Sequence, residues 1–235
     1  MALADNLVAY WELEEASGDR VDSHSTYDLT QSGTPSNATG VQGNGVDLEL
    51  SSSQHLYVAD PFHISNNLSI SSWIKPESFT NNDNRWICRW YNQTEYILRL
   101  NAGKVDVLHS CSGGTVQVTG ASSLSTGTWY HIVTTYNSTD GLKVYVNNGS
   151  PLTAAANGTI NNSVEPFTIG VARSSGGAVA AGTLFDGIVD EVGVWDKTLT
   201  TDEVAELYNS GAGMSYADIT GGAAPTFIPR VSFIM

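Results

Sequence analysis

Leu184-Phe185-Asp186-Gly187-Ile188-Val189-Asp190-Glu191-Val192-Gly193-Val194-Trp195-Asp196 alternates with a period of two, and the next stretch, Lys197-Thr198-Leu199-Thr200-Thr201-Asp202-Glu203-Val204-Ala205-Glu206-Leu207-Tyr208, does not. The first part reads as a strand with Ile188, Asp190, Val192 and Val194 on one face and Val189, Glu191, Gly193 and Trp195 on the other. In the second part Thr200 and Glu203 have the spacing of a capping box. Val204, Leu207 and Tyr208 then share one side of a short helix, which Gly211 is placed to end. A strand that feeds a single capped helix closes a chain that is otherwise rich in strands.

Working outward, Leu7–Leu13, Val46–Leu50, Gln54–Val58 and Asn67–Pro76 alternate in the same way, and Pro76 stops the last of them. Trp86–Tyr91, Glu95–Leu100 and Lys104–His109 follow in close succession, with connectors of hairpin length. Trp129–Asn137 and Leu142–Asn147 flank an Asp140-Gly141 turn, a strong hairpin signal. A further strand is expected over 166–171. About a dozen short antiparallel strands with little helix give an all-β fold, a two-sheet antiparallel jelly-roll sandwich with one short C-terminal helix and an extended tail. Residues 1–213 are read as one domain and 214–235 as an apolar, Pro-punctuated tail. A free apolar tail is sticky, so Phe227, Ile228, Val231, Phe233 and Ile234 are expected to pack on their own domain or on a partner by strand addition.

Composition narrows the function. The 235 residues carry 10 Lys and Arg against 24 Asp and Glu, a net charge of −14, which argues against nucleic acid as a partner. No run is long and apolar enough to suggest a membrane span. The first residues show no basic n-region followed by an apolar stretch, so no signal peptide is expected. Cys88 and Cys111 are too few for a disulfide framework; two reduced thiols are the expectation, although pairing stays open. The seven Asn-x-Ser/Thr triplets reflect a chain rich in those residues.

Four pieces line up in order: Leu7–Leu13 running into Ser17-Gly18 and Asp22-Ser23; Leu68–Pro76; Trp129–Val133 with Val144–Asn147; and Phe185–Val192 with the capped helix. Together they resemble the laminin-G-like branch of the concanavalin A-like lectin/glucanase superfamily, over roughly Leu7 to Tyr208. The resemblance implies a jelly roll of two curved sheets, in agreement with the strand reading. Glucanases of that superfamily carry paired carboxylates on one strand, about 5 Å apart in retaining enzymes. No such pair is found here, so an enzyme is not expected.

The resemblance also implies a structural calcium ion between Asp22 and Asp190, completed by carbonyls and water to about six to eight oxygens. The alternative is an Asx-type turn at Asp22 and a loop-bonded carboxylate at Asp190. For a ligand, Trp86, Cys88, Trp90, Tyr96, Leu98, Leu100, Val105 and Val107 are read as the core face. That leaves Arg89, Tyr91, Glu95, Arg99 and Asp106 outward to hold a glycan, or simply to form cross-strand ion pairs. The functional expectation is a non-enzymatic recognition module, glycan-binding, displayed on an assembly such as a phage or virus particle. A secreted bacterial carbohydrate-binding or adhesion domain is the alternative, and a glycoside hydrolase the third reading.

Overall fold

A computed structural model describes residues 2–59, 61–91 and 95–221. In chain order the strands are β1 (Leu7–Trp11), β2 (Thr30–Ser32), β3 (Ser36–Thr39), β4 (Asn44–Leu48), β5 (His55–Val58), β6 (Leu68–Pro76), β7 (Asn84–Arg89) and β8 (Tyr96–Asn101). They continue as β9 (Lys104–Cys111), β10 (Gly114–Ser123), β11 (Tyr130–Asn137), β12 (Gly141–Val146), β13 (Leu152–Ala154), β14 (Phe167–Ile169) and β15 (Gly187–Trp195). Two short helices follow, α1 (Thr201–Tyr208) and α2 (Tyr216–Ile219).

One sheet has eight strands in the order β13-β12-β11-β6-β15-β4-β3, with β1 also paired to β15; the other has seven, β10-β9-β8-β7-β14-β5-β2. All pairings are antiparallel, as a jelly roll requires. Between the sheets lies the main core, with Trp11, Leu29, Leu48, Ile70, Trp86, Leu98, Val107, Phe167 and Val189 among its buried residues. Trp11 stacks on Phe167 with ring centroids 5.0 Å apart.

β15 is the last strand in sequence among the described residues and occupies the middle of its sheet. Its first half pairs with β4 and its second with β1, while β6 runs along the other side. Gly187 allows this close approach: it has φ +140°, and a Cβ there would lie 2.4 Å from the Lys75 carbonyl oxygen. The simple alternation expected for β15 fails in the middle. Its register with β6 slips between Asp190 and Gly193, and Glu191 takes a left-handed φ of 48°. This bulge reverses every later side chain, so Val189 joins Val192 and Val194 in the main core while Trp195 faces outward.

The outward residues of the eight-stranded sheet are not bare. α1, α2 and the N-terminal segment lie over them and form a second apolar cluster of Leu3, Leu7, Tyr10, Val133, Tyr145, Trp195, Leu199, Val204, Leu207, Met214 and Ile219. The capping box holds: Thr200 Oγ1 accepts from the Glu203 amide at 3.2 Å, and Glu203 Oε2 accepts from the Thr200 amide at 2.8 Å. The helix ends at Asn209, which adopts φ 45°, two residues before the expected Gly211. Met214 and Ile219 are buried in this cluster, so the folded body extends beyond the boundary expected at residue 213. Residues 222–235, with Phe227, Ile228, Val231, Phe233 and Ile234, lie outside the described residues.

Candidate functional site

The outer face of the seven-stranded sheet carries no α-helix among the described residues, though Ala172 and Ala180 cover Cys88 and Ile97, and strand register arranges its side chains in two rows. Arg85 pairs with Arg99, Arg99 with Asp106, and Asp106 with Thr119, which makes one charged row across β7 to β10. Two residues along, Tyr57, Thr168, Cys88, Ile97, Leu108 and Gln117 make a second row that is mostly apolar. Successive residues on one face are about 7 Å apart, so the rows run side by side at roughly the width of a sugar ring.

The charged row is a continuous network. Arg85 grips Asp83 through Nε and Nη2, at 3.0 and 2.8 Å. Arg99 reaches Asp83 at 3.3 Å and binds Asp106 Oδ2 through Nε and Nη2, each at 2.8 Å. Gln117 donates to Asp106 Oδ1 at 2.8 Å and Thr119 at 2.5 Å. Burial alone would raise the Asp83 carboxyl, but Arg85 and Arg99 hold it below its ordinary value. Gln117 and Thr119 are exposed, and Trp90 is half-buried beside Cys88, Ile97 and Ala172. A polar row backed by fixed charges, next to an apolar strip, can bond hydroxyls and cover the apolar faces of a sugar.

Of the residues expected here, Arg99 and Asp106 are on this face, with Asp106 fully buried beneath its partners. Arg89 and Glu95 are not on it. Register slips between Arg85 and Ile87, so Trp86 occupies a bulge and the rest of β7 is reversed. Cys88 and Trp90, expected inside, go to the outer face, and Arg89 turns inward.

There its guanidinium donates to the Phe62 carbonyl, to Glu165 O at 3.0 Å and to Ser163 O at 3.1 Å, and lies 3.1 Å from both His63 Nδ1 and Glu95 Oε1. Burial raises the Glu95 carboxyl to about 7 against the pull of Arg89 and the Ser163 donors. The pair clasps three loops together. Tyr91 is half-buried at the end of the same segment. Arg85, Asp83 and Gln117, which complete the network, were missed because only a correct register brings them into line. Cys88 and Cys111 are both buried free thiols, Cys88 outside the seven-stranded sheet and Cys111 in the main core.

Asp22 and Asp190 serve separate loops. Asp22 accepts from the amides of Tyr10, His24 and Tyr27 at 2.9, 3.0 and 3.1 Å and from the Ser25 hydroxyl at 2.5 Å. Asp190 accepts from the amides of Val41, Gln42 and Glu191 at 2.6, 3.2 and 2.9 Å. Burial raises Asp190 to about 7 against those bonds, and raises Glu191 to about 10, where the Tyr10 hydroxyl donates to it. Carboxylate oxygens filled by N–H and O–H donors do not fit a calcium ion without giving up those bonds. Among the described residues, the acids whose oxygens come within 4.8 Å of one another are instead Asp47, Glu49 and Glu77, which are partly or fully exposed.

Comparison by sequence with curated proteins returned no match. Among solved structures, the binding domain of Paraclostridial Mosquitocidal Protein 1 superposes with a TM-score of 0.72 at 18% identity, over 89% of this chain and 53% of that one. Domain 4 of AbnA, a GH43 extracellular arabinanase from Geobacillus stearothermophilus in complex with arabinotriose, gives 0.57 at 19% identity, over 89% of this chain and 98% of that one. The binding domain of botulinum neurotoxin DC in complex with SialylT gives 0.66 at 13% identity, over 89% and 52%. This chain therefore spans about half of the toxin binding domains and nearly all of the arabinanase domain. A laminin-G-type sequence profile matches residues 50–205. With that match over most of its length and two antiparallel sheets to go with it, the chain belongs to the concanavalin A-like lectin/glucanases superfamily.

Proposed function

We propose that the chain is a non-enzymatic glycan-recognition module that binds through the outer face of its seven-stranded sheet. The carrying observation is the pairing of the Arg85–Asp83–Arg99–Asp106–Gln117 network with the half-buried Trp90 and Leu108 beside it. The arabinanase domain and the neurotoxin domain, solved with arabinotriose and SialylT, support a glycan as the ligand class. Hydrolysis is disfavoured because Asp83 and Asp106, the acids of this face, are both engaged by arginines instead of standing free on either side of a sugar bond. A glycan array with wild type, Arg99→Ala and Gln117→Ala tests the reading. Binding by wild type and its loss in both variants is expected; a wild type that binds no glycan, or variants that bind as well, would overturn it.

Display on a phage or virus particle is the finer reading, supported by the apolar sequence of residues 223–235. Removing those residues should abolish incorporation into a particle and leave the sandwich folded. A module of a larger secreted chain is the second reading, favoured by the match to nearly the whole of the arabinanase domain.

A further inference from the structure

Charge is distributed unevenly over this acidic chain. Four of its ten Lys and Arg lie on the outer face of the seven-stranded sheet: Arg85, Arg99, Lys104 and Arg173. Lys104 is two residues before Asp106 on β9, and Val105 between them points into the core, so Lys104 shares the outer face with the charged row. Arg173 lies over the Tyr57 ring, 3.7 Å from its centroid, and Tyr57 ends the apolar row.

Only Asp83 and Asp106 oppose these cations on that face among the described residues. Both are used by Arg85 and Arg99, and neither Lys104 nor Arg173 has a carboxylate within ion-pair distance among the described residues. Glu165, the acid that reaches the 172–180 loop, is held by the Ser175 amide at 2.5 Å. Even with Glu165 included the face is in positive surplus, on a molecule whose net charge is −14.

On the reading of this face as a glycan site, we propose that its ligand is an anionic oligosaccharide bearing carboxylate or sulfate groups. Lys104 stands on β9 and Arg173 over β5, four strands away in the sheet order and four residues further along the strands, a separation of about 23 Å. Two cations so far apart do not grip one anionic group. They suit charges repeated along a chain of several sugars that crosses the charged row of Arg85, Arg99 and Asp106. The acidic remainder of the molecule works against random attachment elsewhere, because like charge repels and the field of a small patch decays within about 8 Å at physiological salt.

The test is direct binding by the full chain to neutral, sialylated, uronate and sulfated oligosaccharides, at about 50 and about 500 mM sodium chloride. The acidic sugars should bind more tightly than the neutral ones and lose about tenfold or more in affinity at the higher salt. Lys104→Gln and Arg173→Gln should each weaken acidic sugars by about threefold and leave any neutral sugar unchanged. Preference between the carboxylated and sulfated sets identifies the source of the anion. Neutral sugars bound as well as acidic ones, with no salt dependence, would overturn the anionic ligand and leave glycan recognition standing. Binding of no sugar at any salt would overturn both. The salt dependence of wild type decides the matter even if a variant fails to fold.

Discussion

The two sheets have opposite outer faces. Over the eight-stranded sheet, α1, α2 and residues 2–6 press onto Trp195, Val133 and Tyr145, and the Trp195 indole donates to Leu3 O at 2.7 Å. Over the seven-stranded sheet the corresponding surface is a network of arginines, carboxylates, Gln117 and Thr119 beside a half-covered apolar strip. A sheet face that the fold itself closes contributes stability. A face left to solvent, yet wired with fixed charges, is free to contribute recognition.

The contrast can be broken most forcefully at Trp195. Trp195→Ala should cost about 3–5 kcal/mol in urea unfolding, because it empties a closed site and strands its neighbours; a loss below about 1 kcal/mol would show that the cover is not structural. Arg89→Ala should cost about as much, since it leaves Glu95 buried without its partner. Adding Glu95→Gln should recover part of that loss, and a double variant no better than the single would count against the clasp.

A pH titration sharpens the comparison further. His131, under the cover beside Trp73 and Tyr208, and His109, between the sheets, are each pushed down to about 3 by burial. Both stay neutral in the folded protein, while the unfolded chain takes up protons below its ordinary histidine value. Their contribution is therefore complete above about pH 6.5 and falls as pH drops toward 3, by about 1.4 kcal/mol per histidine per pH unit. His109→Phe should flatten that acid slope, and an unchanged slope would contradict it. At the exposed end, Gln117→Ala should change stability by no more than about 0.5 kcal/mol while removing glycan binding. The smallest effect concerns metal: EDTA should leave the melting curve in place, and a downward shift would show that calcium displaces the donors around Asp22 or Asp190.

Most of the architecture was legible in the sequence. Period-two alternation located β6, β8, β9, β11 and β12, and Thr200 with Glu203 announced α1. The errors in which face a side chain takes cluster at two places, Trp86 and Glu191, and have one cause. Each is a bulge that inserts a residue and sends the rest of its strand to the opposite face. Alternation in a sequence cannot place an inserted residue within an unbroken apolar run such as Trp86-Ile87-Cys88. Arg99 and Asp106 were legible as outward residues of neighbouring strands, whereas Asp83, which joins them from a loop, was not. Only the left-handed Glu191 had no local signal of any kind, since a glutamate rarely adopts that backbone.

The place of β15 bears on how the chain reaches this state. The strand that joins β1, β4 and β6 follows the other strands among the described residues, and the partners it links are separated from it by more than a hundred residues. Until β15 pairs, β6 and β4 each lack the neighbour that covers this edge of the strand in the folded sheet. Contacts so distant in sequence close late and slowly. The growing chain must therefore keep these edges from accepting a foreign strand until β15 arrives, so crowded expression should yield aggregates through β6 before it yields a misfolded sandwich.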